Sequence, residues 1–193
     1  QTPTAITVKA KNDTWLDFDG VNDKASIQDK FNYSEPSGFS ISFWINKPQT
    51  VDAVPSYIIC KSLSFGNQRT FRFHTNTGND IWFVTFHDGT SANTTTSQIN
   101  NLIAANTWYH VVGIWNGSAN KLYLNGQFID ADIADGNAVL NSNASLTIGN
   151  CQTNLGFYKG STDDIRIYNK SLSTVEVNDL FLKGKKAVFE SFE

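Results

Sequence analysis

Hydrophobicity with a two-residue period recurs along the chain and restricts its fold more than any other property. In Phe39-Ser40-Ile41-Ser42-Phe43-Trp44-Ile45, the residues Phe39, Ile41, Phe43 and Ile45 fall on one side; Ser40, Ser42 and Trp44 fall on the other. Successive side chains of an extended chain point to opposite faces, so this string describes a strand with one face on a core. Leu16-Asp17-Phe18-Asp19-Gly20, Leu122-Tyr123-Leu124-Asn125-Gly126 and Asp163-Asp164-Ile165-Arg166-Ile167-Tyr168-Asn169 repeat the pattern. Asn-Gly directly after an alternating run signals a tight hairpin, because both central residues must adopt positive φ.

The same reading places strands at Ala25–Ile27, Tyr57–Lys61, Thr70–Thr75, Ile81–His87, 94–99, Trp108–Trp115, Gln127–Asp130, 145–149 and 157–168. One helix is predicted near the end, with Ser173 or Thr174 as its cap and Glu176 as the capping-box acid. Val177, Leu180 and Phe181 share its apolar face, and Gly184 is expected to stop it. Lys185–Glu193 then reads as a closing strand or a linker stub. The expectation is a single all-β domain over residues 1–193, a two-sheet antiparallel jelly-roll sandwich with one short C-terminal helix.

Composition narrows the function classes. Of 193 residues 40% are hydrophobic and 13% aromatic, enough for a large core, and only 17% are charged. Asn, Ser, Thr and Gly carry the polarity, which suits a turn-rich β protein and equally a secreted protein facing polysaccharide. A net charge of −3 leaves no electrostatic footprint for nucleic acid. No apolar run approaches the ~20 residues of a membrane span, so membrane insertion is not expected. The absence of Met and of a leader before Gln1 reads as a mature product or an excised module, extracellular in location. Cys60 and Cys151 stand at strand ends, and a bridge between them would close a loop worth ~4–5 kcal/mol in the chain-entropy model. Two buried thiols that never meet are the alternative.

Taken in order, Leu16–Gly20, Phe39–Ile45, Trp108–Gly113, Leu122–Gly126, Leu146–Gly149 and Asp163–Asn169 resemble the laminin-G-like branch of the concanavalin A-like lectin/glucanase superfamily. The resemblance runs from Leu16 to about Leu182. It implies a lectin-like sandwich, and it implies calcium: the segments holding Asp19 with Asn22 and Asp163 with Asp164 neighbour each other in the family. Several hard oxygens converging from separate loops are what that cation needs. Which of Asp163 and Asp164 coordinates is left open, and turn formation is the competing role for Asp19.

Glycosidases of this fold place carboxylates in an E-x-D-x-x-E pattern on one strand. None of Glu35, Glu176, Glu190 and Glu193 begins such a pattern. Asp130 and Asp132 are the nearest approach to a dyad, and a solvated strand face explains them better. The chain therefore reads as non-catalytic.

A ligand face is expected on the middle strands. In Phe71-Arg72-Phe73-His74 the phenylalanines point inward and leave Arg72 and His74 outward. The family register turns Trp82, Val84 and Phe86 inside, which sets Phe83 and His87 beside Arg72 and His74. The opposite register buries Phe83 and exposes Trp82. Arg69 belongs to the rim, with the loop at 62–69 as a possible cover. An aromatic ring among cationic groups suits a sugar, and an acidic one above all. Trp15, Trp44, Trp108 and Trp115 read as packing residues, and His110 as a core histidine. The leading expectation is a carbohydrate-binding module of a larger secreted or surface protein, with polysaccharide and the parent's other domains as partners. A structural or adhesion spacer is the alternative.

Overall fold

The computed structural model of the chain describes residues 5–8, 15–28, 38–48, 55–63, 68–76, 80–87, 94–134, 138–140, 142–151 and 156–190. Among them run thirteen strands and one helix. The strands are β1 (Ala5–Val8), β2 (Leu16–Asp19), β3 (Ala25–Ile27), β4 (Phe39–Asn46), β5 (Tyr57–Ser62), β6 (Arg69–Thr75) and β7 (Ile81–Phe86), then β8 (Thr94–Ile99), β9 (Trp108–Trp115), β10 (Ala119–Leu124), β11 (Gln127–Ile133), β12 (Leu146–Ile148) and β13 (Lys159–Tyr168). The helix is α1 (Thr174–Glu190). A seven-stranded sheet has the order β1-β13-β4-β9-β10-β11, with β2 also on β13; a six-stranded sheet has the order β3-β12-β5-β6-β7-β8. The strand pairings are antiparallel, and the result is the expected two-sheet sandwich.

The alternating strings place the core. Phe39, Ile41, Phe43 and Ile45 of β4, with Val111 and Trp115 of β9, face Phe71 and Phe73 of β6 and Ile81 and Phe83 of β7. Phe73 and Phe83, directly opposite in register, stack with centroids 4.6 Å apart. They project onto Gly113, where a Cβ would stand 2.4 Å from the Phe73 ring and 3.0 Å from Phe83. Gly113 leaves the space that this aromatic pair fills.

The outer face of the larger sheet is partly covered by α1. Val112, Ile114 and Tyr123 form a second cluster with Leu172 and Val177, and Trp44 stacks on Phe181 at 5.9 Å. A capping box starts the helix: Ser173 N donates to Glu176 Oε2 at 2.8 Å and Glu176 N to Ser173 Oγ at 3.3 Å. Gly184 does not stop it. The helix continues to Glu190, so the segment after Gly184 is neither closing strand nor linker stub through that residue. A Cβ at Gly184 would lie 2.3 Å from Trp44 Nε1; the glycine is there for close approach to the indole, not for a C-cap.

Two further devices fasten the strands. Cys60 of β5 and Cys151, just after the neighbouring β12, are joined by a disulfide across a Cα separation of 5.3 Å. At the β8 edge, Asp130 and Asp132 of β11 accept from Gln98 N and Thr96 N of β8, each at 2.8 Å. Two carboxylates two residues apart thus bond two amides two residues apart, tying the edge of one sheet to the edge of the other. That is their role, rather than a solvated face.

Replacing Gly184 distinguishes close approach from ordinary helix interior. An exposed Gly→Ala change inside a helix stabilises by about 1 kcal/mol, whereas crowding a packed indole costs about 1–3 kcal/mol. Gly184→Ala is expected to lower the melting temperature by about 2–6 °C; a rise measured by calorimetry would overturn this account.

Candidate functional site

The outer face of the six-stranded sheet carries a cationic and aromatic cluster. It follows from strand register: His74 lies opposite Trp82 and Tyr57, and Arg72 opposite Val84 and Cys60. The Arg72 guanidinium carbon lies 5.3 Å from the Phe86 ring centre and 5.9 Å from that of Tyr57. Arg69 reaches the same Phe86 ring at 5.7 Å. His74 packs against Trp82 at 5.6 Å and Tyr57 at 6.0 Å. Two guanidiniums over one phenyl ring are held there by cation–π attraction.

Among the described residues no carboxylate pairs with Arg72, and its Nε, like His74 Nδ1 and Trp82 Nε1, is buried without a hydrogen-bond partner. Each such group costs about 1–3 kcal/mol relative to a bonded one. Burial pulls Arg72 below its ordinary pKa, Tyr57 opposing and Arg69 adding to the effect. Burial first, then Arg72, pushes His74 down to about 3, so its imidazole is neutral at pH 7.

The structure selects the register opposite to the family one. Phe83 is fully buried in the core and cannot present its ring to a ligand. His87 turns inward as well: its Nε2 lies 2.7 Å from Thr95 Oγ1, and its ring packs on Trp115 at 5.2 Å. Trp82 and Tyr57, both half-buried, take their places; Phe86 shares their face but is fully buried, with the Arg69 and Arg72 guanidiniums against its ring. Ile81-Trp82-Phe83-Val84-Thr85-Phe86 is apolar in both phases, so alternation alone does not choose between them. The signal that does is the cross-strand neighbour, since Phe73 needs a partner on the core side.

The four residues read as a cation site do not come together. Asp19 lies opposite Lys159, at the start of β13. Asp163 is four residues further along that strand, so about 13 Å separates the two positions at ~3.3 Å per residue. Asp164, at φ 47° in a bulge of β13, takes Arg166 on both oxygens at 2.8 Å. Asp163 Oδ1 accepts from Asp164 N at 2.7 Å. Asp19 Oδ1 accepts from Val21 N at 2.7 Å and Asn22 N at 3.4 Å, as a turn former does, which holds its carboxyl below the usual range. A calcium ion shared by both segments has no common donor set in Asp19, Asn22, Asp163 and Asp164. Of the tryptophans, Trp44 and Trp115 are buried packing residues, while Trp15 is 39% exposed. His110 is buried on Ser42 Oγ at 2.8 Å between Trp44 and Phe181.

The model of the concanavalin A-like lectin/glucanases superfamily matches residues 19–178. No curated protein matches the sequence. Among solved structures, the ligand binding domain of botulinum neurotoxin serotype D in complex with N-acetylneuraminic acid aligns with a TM-score of 0.71 at 16% identity, covering 94% of this chain and 46% of that one. The serotype G binding domain aligns with a TM-score of 0.72 at 17% identity, covering 94% and 45%. The binding domain of Paraclostridial Mosquitocidal Protein 1 gives 0.67 at 20%, covering 92% and 45%. The chain thus spans a little under half the length of these solved chains, and at such identities the likeness is one of fold.

Two measurements check the site's electrostatics. Burial, with Arg166 secondary, lowers His110 to about 4, and His74 lies near 3. Both are neutral when folded but take up protons near pH 6.5 once unfolded, so their contribution is present above pH 6.5 and is lost as the pH falls toward 4. Between pH 6.5 and 4.5 each is expected to remove about 2–3 kcal/mol. Urea unfolding of His110→Gln should show a shallower acid loss than the parent; an unchanged slope would contradict the burial argument. Asp164→Ala, which strands Arg166, should lower the melting temperature equally in calcium and in EDTA, and a deficit confined to calcium would restore a metal role.

Proposed function

Because the chain belongs to the concanavalin A-like lectin/glucanases superfamily, we propose that it is a non-catalytic glycan-binding module of a larger secreted or surface protein, taking an acidic polysaccharide on the outer face of its six-stranded sheet. The observation that carries this reading is Arg72, within cation–π reach of both Phe86 and Tyr57, with an unpartnered Nε and no carboxylate beside it among the described residues. A guanidinium so placed offers paired donors to a carboxylate or sulfate. The Trp82 and Tyr57 rings offer apolar faces to sugar C–H groups, and Arg69 adds a second positive charge.

Other features support parts of the proposal. Asp130 and Asp132 are occupied by backbone amides of β8, which argues against a general acid and base there. The disulfide fits an oxidising, extracellular compartment. The serotype D domain carries a name that includes an acidic sugar, N-acetylneuraminic acid.

Affinity electrophoresis against uronic-acid, sulfated and neutral polysaccharides tests the reading. Retention by at least one acidic polymer, weakened by salt, is expected to fall tenfold or more in Arg72→Gln, a loss of about 1.4 kcal/mol. Arg72→Lys should recover it only in part, since an ammonium lacks the planar fork. Indifference of the whole panel, or equal retention of Arg72→Gln, would leave a structural spacer as the better description.

A further inference from the structure

A second surface, on the other sheet, has the features of a site with a different ligand. Asp17 lies opposite Ser161, Ser161 opposite Asn46, and Asn46 opposite Trp108, a row crossing β2, β13, β4 and β9. Residues paired this way share a face, and here it is the outer one, since Phe18 and Ile45 beside them enter the core. A groove of about 500 Å³ lies over the row, walled by Trp15, Pro48, Asn106 and Lys159. That is the size of an ordinary small-molecule site.

Its aromatic floor is held in place. Trp15 Nε1 donates to Asp17 Oδ2 at 3.0 Å, and the Trp15 ring meets Trp108 edge-on with centroids 5.9 Å apart. Asp17 is fixed in turn by the Ser161 hydroxyl on its other oxygen. Asn46, Asn106 and Lys159 line the same space and add two amides and an ammonium to its wall. An exposed indole ringed by amides suits a pyranose, whose C–H face stacks while its hydroxyls both donate and accept. The one carboxylate and the one ammonium of the wall cancel, so the groove offers no net charge to an anion.

We propose that the Trp15–Trp108 groove is a second binding site, for a neutral sugar, independent of the cationic face on the other sheet. The proposal does not rest on the acidic-glycan reading, and the two are separable by variant. Isothermal titration and tryptophan fluorescence with a panel of gluco-, xylo-, manno- and chito-oligosaccharides should find at least one ligand. Its binding should perturb the fluorescence, be insensitive to salt, and weaken tenfold or more in Trp15→Ala while Arg72→Gln leaves it intact. Asn106→Gly is a second probe: Asn106 sits at φ 55°, which glycine adopts without strain, so this variant removes the amide and keeps the backbone. It should weaken the same ligand severalfold. A panel with no binder, or a neutral ligand lost in Arg72→Gln and kept in Trp15→Ala and Asn106→Gly, would overturn the proposal. Retention of acidic polymers by Trp15→Ala would show the other face unaffected.

Discussion

The stacked pair Phe73–Phe83, seated on Gly113 of the opposite sheet, is the contact from which the functional face follows. Its centroids are 4.6 Å apart, and no side chain other than hydrogen fits beneath it. Once Phe83 is committed to the core, β7 has no freedom of register: a slip by one residue would exchange every side chain between faces. Trp82 and Phe86 must then look outward, in line with Arg72 and His74 on β6. The composition of this outer face is in this sense set from behind, by packing between the sheets.

Charge is sorted on the same principle. The chain is net acidic, yet the described part of the six-stranded sheet's outer face carries Arg69 and Arg72, while several described carboxylates are engaged elsewhere. Asp130 and Asp132 bond the edge amides of β8, Asp164 holds Arg166 in the bulge of β13, and Glu176 pairs with Lys170 and caps α1. Each of these partners satisfies a backbone donor or a strained turn that would otherwise remain costly. Arg69 and Arg72 are left facing aromatic rings, where a cation is tolerated without an acid.

The legible part of this architecture was the part written with strict alternation. In β4 only one phase is apolar enough for a core, and the Asn125-Gly126 hairpin has its required positive φ values of 50° and 79°. The helix start was equally plain, since the capping box needs only Ser173 and Glu176 at their spacing. Its end was not. Gly184 has the local signature of a stop, and only the Trp44 indole beneath the helix explains why it is an interior residue. The ligand face was half legible for a related reason: Arg72 and His74 are flanked by phenylalanines that fix their phase, whereas β7 is apolar on both sides. The acidic segments do neighbour each other, β2 pairing with β13, but the antiparallel register sets Asp19 against Lys159 and leaves Asp163 and Asp164 past the other end of β2, a detail that no motif spacing carries.

The two outer faces of the sandwich are finished differently, and this has a consequence for binding. On the seven-stranded sheet α1 covers Val112, Ile114 and Trp44, and the row from Asp17 to Trp108 lies beyond Trp44 at the ends of β4 and β9. On the six-stranded sheet the central outer face, between β5 and β7, is half-buried at Tyr57, Arg72 and Trp82 and buried at Cys60, His74, Val84 and Phe86. Sheets pack ~10 Å apart, so sites on their two outer faces point in opposite directions and cannot grip one short oligosaccharide together. A matrix containing both neutral and acidic polymers presents another situation. A module engaging one polymer on each face would cross-link them, and its retention would depend on the density of both rather than on affinity for either. Two such sites would then discriminate a mixed matrix from a pure one, which a single site of either kind would not.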